Sequence, residues 1–148
     1  MSGGRILVVE DDFDISSMLQ LYFKSQGYEV YVAPRGGVAL EMTRQNMPNV
    51  IVLDIMLPDI DGYEVCRQLR TNLRTSHIPI IFLTQKDERN DKIQGLELGA
   101  DDYITKPFDL EGLRLRVRNT IKSAEIASLT SPSTGLASGR LIEQQLRE

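Results

Sequence analysis

Cysteine occurs once in these 148 residues, at Cys66, so an internal disulfide framework is excluded, and the usage suits a reducing cytosol. Cys66 falls in a helical pattern and reads as a packing residue. Histidine is equally scarce: His77 stands alone, in a loop after a helical stretch, and reads as a surface residue. No apolar run approaches the ~18 residues needed to cross a bilayer. Met1-Ser-Gly-Gly-Arg5 has no signal-peptide character. An excess of basic charge is missing too. The formal net charge is −4, which leaves no electrostatic footprint for nucleic acid or for an anionic membrane surface. The expectation is a cytoplasmic protein that binds neither nucleic acid nor membrane. With 41% hydrophobic and 26% charged residues, the chain can build one core, and its length suits one domain with a short extension.

There are no internal repeats. Short apolar runs alternate with helical patterns instead. Ile6-Leu7-Val8-Val9 is a first strand that ends in Glu10-Asp11-Asp12. Ile15, Met18, Leu19, Tyr22 and Phe23 then follow at helical spacing, and Gly27 closes that helix. Val30 to Ala33 reads as a second strand, and Val38, Ala39 and Met42 as a second helix closed by Pro48. Val50-Ile51-Val52-Leu53 is apolar without alternation, the pattern of a central strand covered on both faces. A loop with Pro58 and Gly62 leads to a third helix around Val65 and Leu69. Pro79 to Leu83 is a fourth strand, Ile93 to Leu98 a fourth helix stopped by Gly99, and Tyr103-Ile104-Thr105 a fifth strand. Leu110, Leu113, Val117, Ile121 and Ala124 form the stripe of a fifth helix. Five consecutive strand–helix units predict an α/β fold: a doubly wound, five-stranded parallel sheet of flavodoxin-like order. In such sheets ligands bind at the carboxyl ends of the strands, beside the switch in strand order.

The residues at those ends carry chemistry. Glu10, Asp11 and Asp12 follow the first strand, Asp54 ends the third, Thr84 ends the fourth, and Lys106 follows the fifth just before Pro107. Converging carboxylates repel unless a cation joins them. Few hard oxygen ligands suit Mg²⁺, which keeps several waters and shares itself with a phosphate. A carboxylate is also a competent nucleophile toward phosphorus. Phosphoryl transfer chiefly needs positioning and neutralisation of the equatorial oxygens, which Lys106 and a metal would supply from two sides, with a hydrogen bond from the Thr84 hydroxyl. Each residue also has a bland explanation. The acidic run would cap the first helix, Thr84 would cap the fourth, and a lysine before proline is ordinarily a solvated loop residue. All four of these strand ends carry the right residue in order, which is hard to ascribe to chance.

These segments resemble the response regulator receiver family. The matching motifs are Ile6-Leu-Val-Val-Glu-Asp-Asp12, Val52-Leu-Asp-Ile-Met-Leu-Pro58 with Asp61-Gly62, Phe82-Leu-Thr84, and Gly99-Ala-Asp-Asp-Tyr-Ile-Thr-Lys-Pro-Phe108, spread over residues 4 to 122. The resemblance implies a signalling phosphoacceptor of a two-component system, not an enzyme with a separate substrate. It would catalyse only its own phosphorylation and dephosphorylation. By the same resemblance Asp54 is the phosphorylation site. Asp11 and Glu10, with Asp54 and the backbone carbonyl of Met56, are the Mg²⁺ ligands. Thr84 and Lys106 contact the phosphate, Thr84 and Tyr103 are the switch pair, and the Lys106–Pro107 bond is cis. The phosphoryl donor would be a histidine kinase or phosphotransfer protein. The switched surface would be that of the fourth helix, fifth strand and fifth helix.

Some positions depart from the family pattern. Gln85 follows Thr84 where a small residue is usual, and Lys86 and Met56 stand at variable positions that tune dephosphorylation. Asp91 to Phe108 is most similar to the transcription-factor branch, which dimerises through the same surface. Ile93, Leu96 and Leu115 would form its apolar patch, ringed by Lys92, Asp101, Asp102, Arg116 and Arg118. Gly112 replaces the usual acidic partner in that ring, so the homodimer's geometry is left open.

The domain boundary is placed at residue 122. Residues 123–148 hold seven Ser or Thr and read as a helical extension or linker. Within them Ser131-Pro-Ser-Thr-Gly-Leu-Ala-Ser-Gly-Arg-Leu141 is similar to the opening of GGDEF-type diguanylate cyclase domains, with Thr134, Gly135, Leu136 and Arg140 matching. The expectation is a fragment of a longer protein, with no cyclase activity in these residues. Three rival functions fit less well. A haloacid-dehalogenase-type phosphatase would need an Asp where Met56 stands. A contact-only pseudo-receiver would not keep Glu10, Asp11, Asp54, Thr84 and Lys106 together. A DNA-binding regulator would need a further domain after residue 122. With His77 alone in a loop, the chain is not itself a phosphohistidine donor.

Overall fold

The computed structural model describes residues 3–84 and 98–130. Five parallel strands form one sheet: β1 (Gly4–Val9), β2 (Tyr28–Ala33), β3 (Val50–Asp54), β4 (Ile80–Thr84) and β5 (Asp102–Thr105). Their order is β2-β1-β3-β4-β5, with Ile6 opposite both Val30 and Val50, Leu53 opposite Phe82, and Thr84 opposite Thr105. The described helices are α1 (Phe13–Ser25), α2 (Gly36–Asn46), α3 (Gly62–Thr71) and α4 (Leu110–Thr130). The last of these is the helix that the sequence pattern places fifth. The fourth helix expected over Ile93 to Leu98 lies largely outside the described residues. So do Gln85, Lys86, Lys92 and residues 131–148.

Alternation along the strands divides the core in two. Leu7, Val9, Ile51, Leu53, Ile80 and Phe82 meet α2 and α3 through Ala39, Val65, Cys66 and Leu69. Ile6, Val8, Val50, Val52, Ile81 and Leu83 meet α1 and α4 through Leu19, Phe23, Leu113 and Val117. With helices on both faces, β3 and β4 are buried along their whole length, which is why their sequences run apolar without alternation. This is the doubly wound, flavodoxin-like α/β fold. Cys66 is buried in the first cluster, its thiol donating toward the Leu98 carbonyl at 3.5 Å, and burial pushes its pKa up.

Local chemistry sets the helix ends. Asp12 caps α1, accepting from the amides of Asp14 and Ile15, so one of the three acidic residues after β1 has the bland role. Asp61 caps α3 by accepting from Glu64. Asp109 accepts from the amides of Glu111 and Gly112 at the start of α4. A Cβ on Gly112 would stand 2.7 Å from that Asp109 carboxylate, which gives the glycine a local reason. α4 runs on to Thr130, eight residues past the boundary drawn at 122, with Ala124 still half-buried. No described helix is long and apolar enough to cross a membrane.

Arg70, on α3, fastens the lower edge of the sheet. Its guanidinium donates to the Gly99 carbonyl at 2.9 and 2.7 Å, to the Ile78 carbonyl at 2.7 Å and to the Asp101 carboxylate at 3.1 Å. Asp101 in turn accepts from the Ile80 amide at 2.9 Å. Gly99 has φ +96°, and a Cβ there would crowd the arginine at 3.0 Å. Arg70→Met keeps the apolar stem but strands these carbonyls. It should lower unfolding free energy by about 2–3 kcal/mol, the scale of charged hydrogen bonds lost with a buried acceptor left behind. Urea denaturation measures this, and a change smaller than about 0.5 kcal/mol would show the clasp to be idle.

Candidate functional site: an acidic pocket at the strand ends

The chain leaves β1 toward β2 on one side and takes up β3 on the other, so a crevice opens at the carboxyl ends of β1 and β3. Glu10 follows β1 and is 2% exposed; Asp54 closes β3 and is 4% exposed. Asp11 stands at the rim, exposed. Glu10, Asp11 and Asp54 each bring a carboxylate oxygen within 4.8 Å of the others. From the far side, Lys106 reaches in after β5. Its amide donates to the Thr84 carbonyl at 2.7 Å, extending the β4–β5 ladder by one residue, and its bond to Pro107 is cis. The ammonium donates to Glu10 Oε1 at 2.8 Å and to Asp54 Oδ2 at 3.4 Å.

The electrostatics follow from this packing. Burial pushes the Glu10 carboxyl above its ordinary range. The hydrogen bond from Lys106 pulls it back, and the hydrogen bond and charge of Asp54 push it up again. Burial works against the Lys106 ammonium, yet the hydrogen bond to Glu10 and the charges of Asp54 and Glu10 outweigh it, so its pKa is raised. Three carboxylates against one ammonium leave two negative charges unmatched, the charge of one divalent cation. The oxygen-only donor set, small in number and partly open to water, fits Mg²⁺ better than a softer metal.

Thr84 ends β4 and is 4% exposed. Tyr103 on β5 packs against the core on the α2 and α3 side. Tyr103 lies opposite Phe82, two residues before Thr84, so Thr84 and Tyr103 share a sheet face. Met56 is 69% exposed, while its amide donates to Asp54 Oδ1 at 3.3 Å. The loop after β3 turns back at once: the Gly62 amide donates to the Ile55 carbonyl at 2.7 Å. A Cβ on Gly62 would meet the Asp54 carbonyl oxygen at 2.5 Å. Glycine there lets α3 start against the strand that carries Asp54.

The structure therefore brings together Glu10, Asp11, Asp54 and Lys106, with Thr84 at the end of the adjacent strand. His77 is exposed in the loop after α3 and far from this edge by topology. Of the charges expected to ring a dimer surface, Arg116 bonds Asp102 at 2.8 Å and Asp101 is taken by Arg70, both within the chain. Leu115 is exposed, and Ile93, Leu96 and Lys92 lie outside the described residues. Sequence reading missed Asp59, whose carboxylate accepts from the amides of Gly36 and Gly37, both at 2.8 Å. The hydrogen bond from Gly37 is the main cause of its lowered pKa. The paired glycines at a helix start were the one available signal.

Residues 6–118 match the response regulator receiver domain family, and the chain belongs to that family: it is a receiver domain of a response regulator of a two-component system. Over 127 residues it is 46% identical to the alkaline phosphatase synthesis transcriptional regulatory protein PhoP of Bacillus subtilis (strain 168), covering 86% of this chain and 52% of that protein. The chain thus spans about half the length of the curated relatives it matches. Among solved structures it resembles the Francisella response regulator 1452 receiver domain, with 36% identity and a TM-score of 0.76 over 81% of this chain and 98% of that one. It also resembles the BeF3-activated N-terminal receiver domain of Klebsiella pneumoniae RstA, with 36% identity and a TM-score of 0.74 over 80% and 98%.

Removing the Lys106 charge leaves two buried carboxylates facing each other. Lys106→Met should cost about 3 kcal/mol in Mg²⁺-free buffer, the scale for breaking a buried ion pair from one side. Adding Glu10→Gln to it should recover most of the loss. Urea denaturation of both variants checks this; a double variant no more stable than the single would mean that packing, not charge, is at stake.

Proposed function

We propose that Asp54 is the phosphoacceptor, and that Glu10, Asp11, Lys106, Thr84 and Tyr103 form the machinery around it. The carrying observation is the Asp54 carboxylate, buried at a strand end with Lys106 on one side and two further carboxylates on the other. An Asp54 oxygen attacks the phosphorus of a phosphohistidine presented by a histidine kinase or phosphotransfer protein in the cytoplasm. The phosphorus–nitrogen bond breaks, and its electron pair stays on the leaving imidazole. Hydrolysis reverses the state: water adds to phosphorus, the acyl–phosphate bond breaks at phosphorus, and Asp54 returns as a carboxylate with inorganic phosphate released.

Glu10, Asp11 and Asp54, with the backbone carbonyl of Met56, would hold Mg²⁺, which when bound neutralises phosphoryl oxygens. Lys106 supplies the opposite counter-charge, and the Thr84 hydroxyl donates to a phosphate oxygen. Drawing Thr84 inward opens space on the face it shares with Tyr103. Tyr103 fills that space, and the surface of β5 and α4 changes. A covalent dianion so biases a two-state equilibrium, which would set a homodimer or an output domain. The cycle is self-catalysed and turns over no separate metabolite. The likeness of residues 131–141 to the opening of a GGDEF domain, supported by Thr134, Gly135, Leu136 and Arg140, suggests one class of output.

Incubation with acetyl phosphate and Mg²⁺, followed by intact mass measurement, tests the reading. Wild type should gain one phosphoryl group, and Asp54→Asn none. Chelating the metal should abolish labelling, and Lys106→Ala should slow it at least tenfold. An unlabelled wild type, or a labelled Asp54→Asn, would overturn the assignment.

A further inference from the structure

The β3–α3 loop runs from Asp54 through Met56 to Gly62 and forms one wall of the acidic pocket. Its ends are fixed: Asp54 is in the sheet, and Gly62 is pressed against the Asp54 carbonyl. Its middle is held by Leu57 and Ile60, half-buried against the core on the α2 and α3 side, and by one polar side chain. Asp59 reaches across to the start of α2 and accepts from the amides of Gly36 and Gly37 at 2.8 Å each. Those amides are the orphan donors of a helix N-terminus. α2 has no cap of its own, because Arg35 at the N-cap position makes no side-chain cap hydrogen bond. The approach is close on both sides. A Cβ on Gly36 would meet Ile60 at 2.5 Å, and one on Gly37 would meet the Asp59 carboxylate at 3.3 Å. The tie continues to the opposite wall, since the Glu10 amide donates to the Ala33 carbonyl, three residues before Gly36, at 3.0 Å.

We infer that Asp59 is a positioning residue for phosphoryl acceptance: by capping α2 from the β3–α3 loop, it holds the Met56 backbone in place and presets the pocket for its divalent cation. This inference rests on the reading of Asp54 and its neighbours given above. Asp59 acts on the Gly36 and Gly37 amides and not on the metal or the phosphoryl group. It adds a directional, charged tie to a wall that Leu57 and Ile60 otherwise hold only by apolar packing. The bidentate charged cap also explains why this loop carries a carboxylate that stays out of the pocket.

The test must separate loop positioning from helix stability, and Arg35 allows it. Asp59→Ala should raise the Mg²⁺ dissociation constant measured by calorimetry about tenfold, the scale for losing a residue that orients metal ligands. Acetyl phosphate labelling should fall by a similar factor at low Mg²⁺ and recover as Mg²⁺ saturates. Asp59→Ala combined with Arg35→Asp restores a cap to α2 from within its own segment but leaves the loop untied. Its urea midpoint should return toward wild type while Mg²⁺ affinity stays weakened. If Mg²⁺ affinity recovers together with stability, or if Asp59→Ala binds Mg²⁺ like wild type, Asp59 only caps a helix and the inference falls while the phosphoacceptor reading stands. If wild type neither binds Mg²⁺ nor accepts a phosphoryl group, both fall.

Discussion

The Lys106 ammonium, held between the buried carboxylates of Glu10 and Asp54, is the interaction around which the strand ends are arranged. Two carboxylates within 4.8 Å repel by about 3.5 kcal/mol or more at an effective dielectric near 20. Neither can leave, because Glu10 continues a strand with four buried residues and Asp54 ends one with five. One ammonium at hydrogen-bonding distance from both attracts each more strongly than they repel each other. That requires β1, β3 and β5 to end at the same level, a demand met by the parallel register from Ile6–Val50 through Thr84–Thr105. The strand order, the apolar runs and the extra rung from Lys106 to Thr84 all serve this convergence.

The fold was legible because its signals are periodic and local. Apolar runs without alternation mark strands covered on both faces, and stripes at helical spacing mark the layers between them. The pocket was legible for a related reason: in a parallel sheet the residue after each run is placed by the sheet itself, so Glu10, Asp54, Thr84 and Lys106 are neighbours once the order is known. Asp59 and Arg70 were not legible. Both act on backbone groups of distant segments, Gly36 and Gly37 for one, Gly99 and Ile78 for the other. Beyond the paired glycines at the start of α2, a linear pattern carries little sign of which amide or carbonyl will be left over after folding. The last helix continues past residue 122, where the sequence left a helical extension and a linker both open. Serine and threonine after residue 122 obscured how far it would run, while Ala124, Ile126 and Ala127 let it continue to Thr130.

The same distinction applies to charges. Asp101, Asp102 and Arg116 were read as the rim of a surface between two copies, yet two short bonds satisfy them inside one chain, Arg116 to Asp102 and Arg70 to Asp101. A copy docking there would have to share or break these pairs. Exposed pairs of this kind contribute little individually, so the exchange is nearly neutral. An association built on it would be governed by the apolar contact that Leu115 begins.

The pocket is asymmetric in a way that matters for its proposed chemistry. Lys106 lies 2.8 Å from Glu10 but 3.4 Å from Asp54, so Glu10 is its principal partner in the unphosphorylated chain. Asp54 accepts from the Met56 amide at 3.3 Å and from the ammonium at 3.4 Å, beside the Glu10 carboxyl. A nucleophile must be held yet not spent, and long hydrogen bonds to both oxygens meet that condition better than a short ion pair would. In the proposed reaction, the charge of a phosphoryl group on Asp54 would compete with Glu10 for Lys106. Lys106 and Thr84 are joined through one backbone hydrogen bond of 2.7 Å. In the proposed cycle, Lys106 and Thr84 would move toward the phosphoryl group from adjacent, hydrogen-bonded strand ends, and a local change of charge would reach β5 through that rung and through Tyr103.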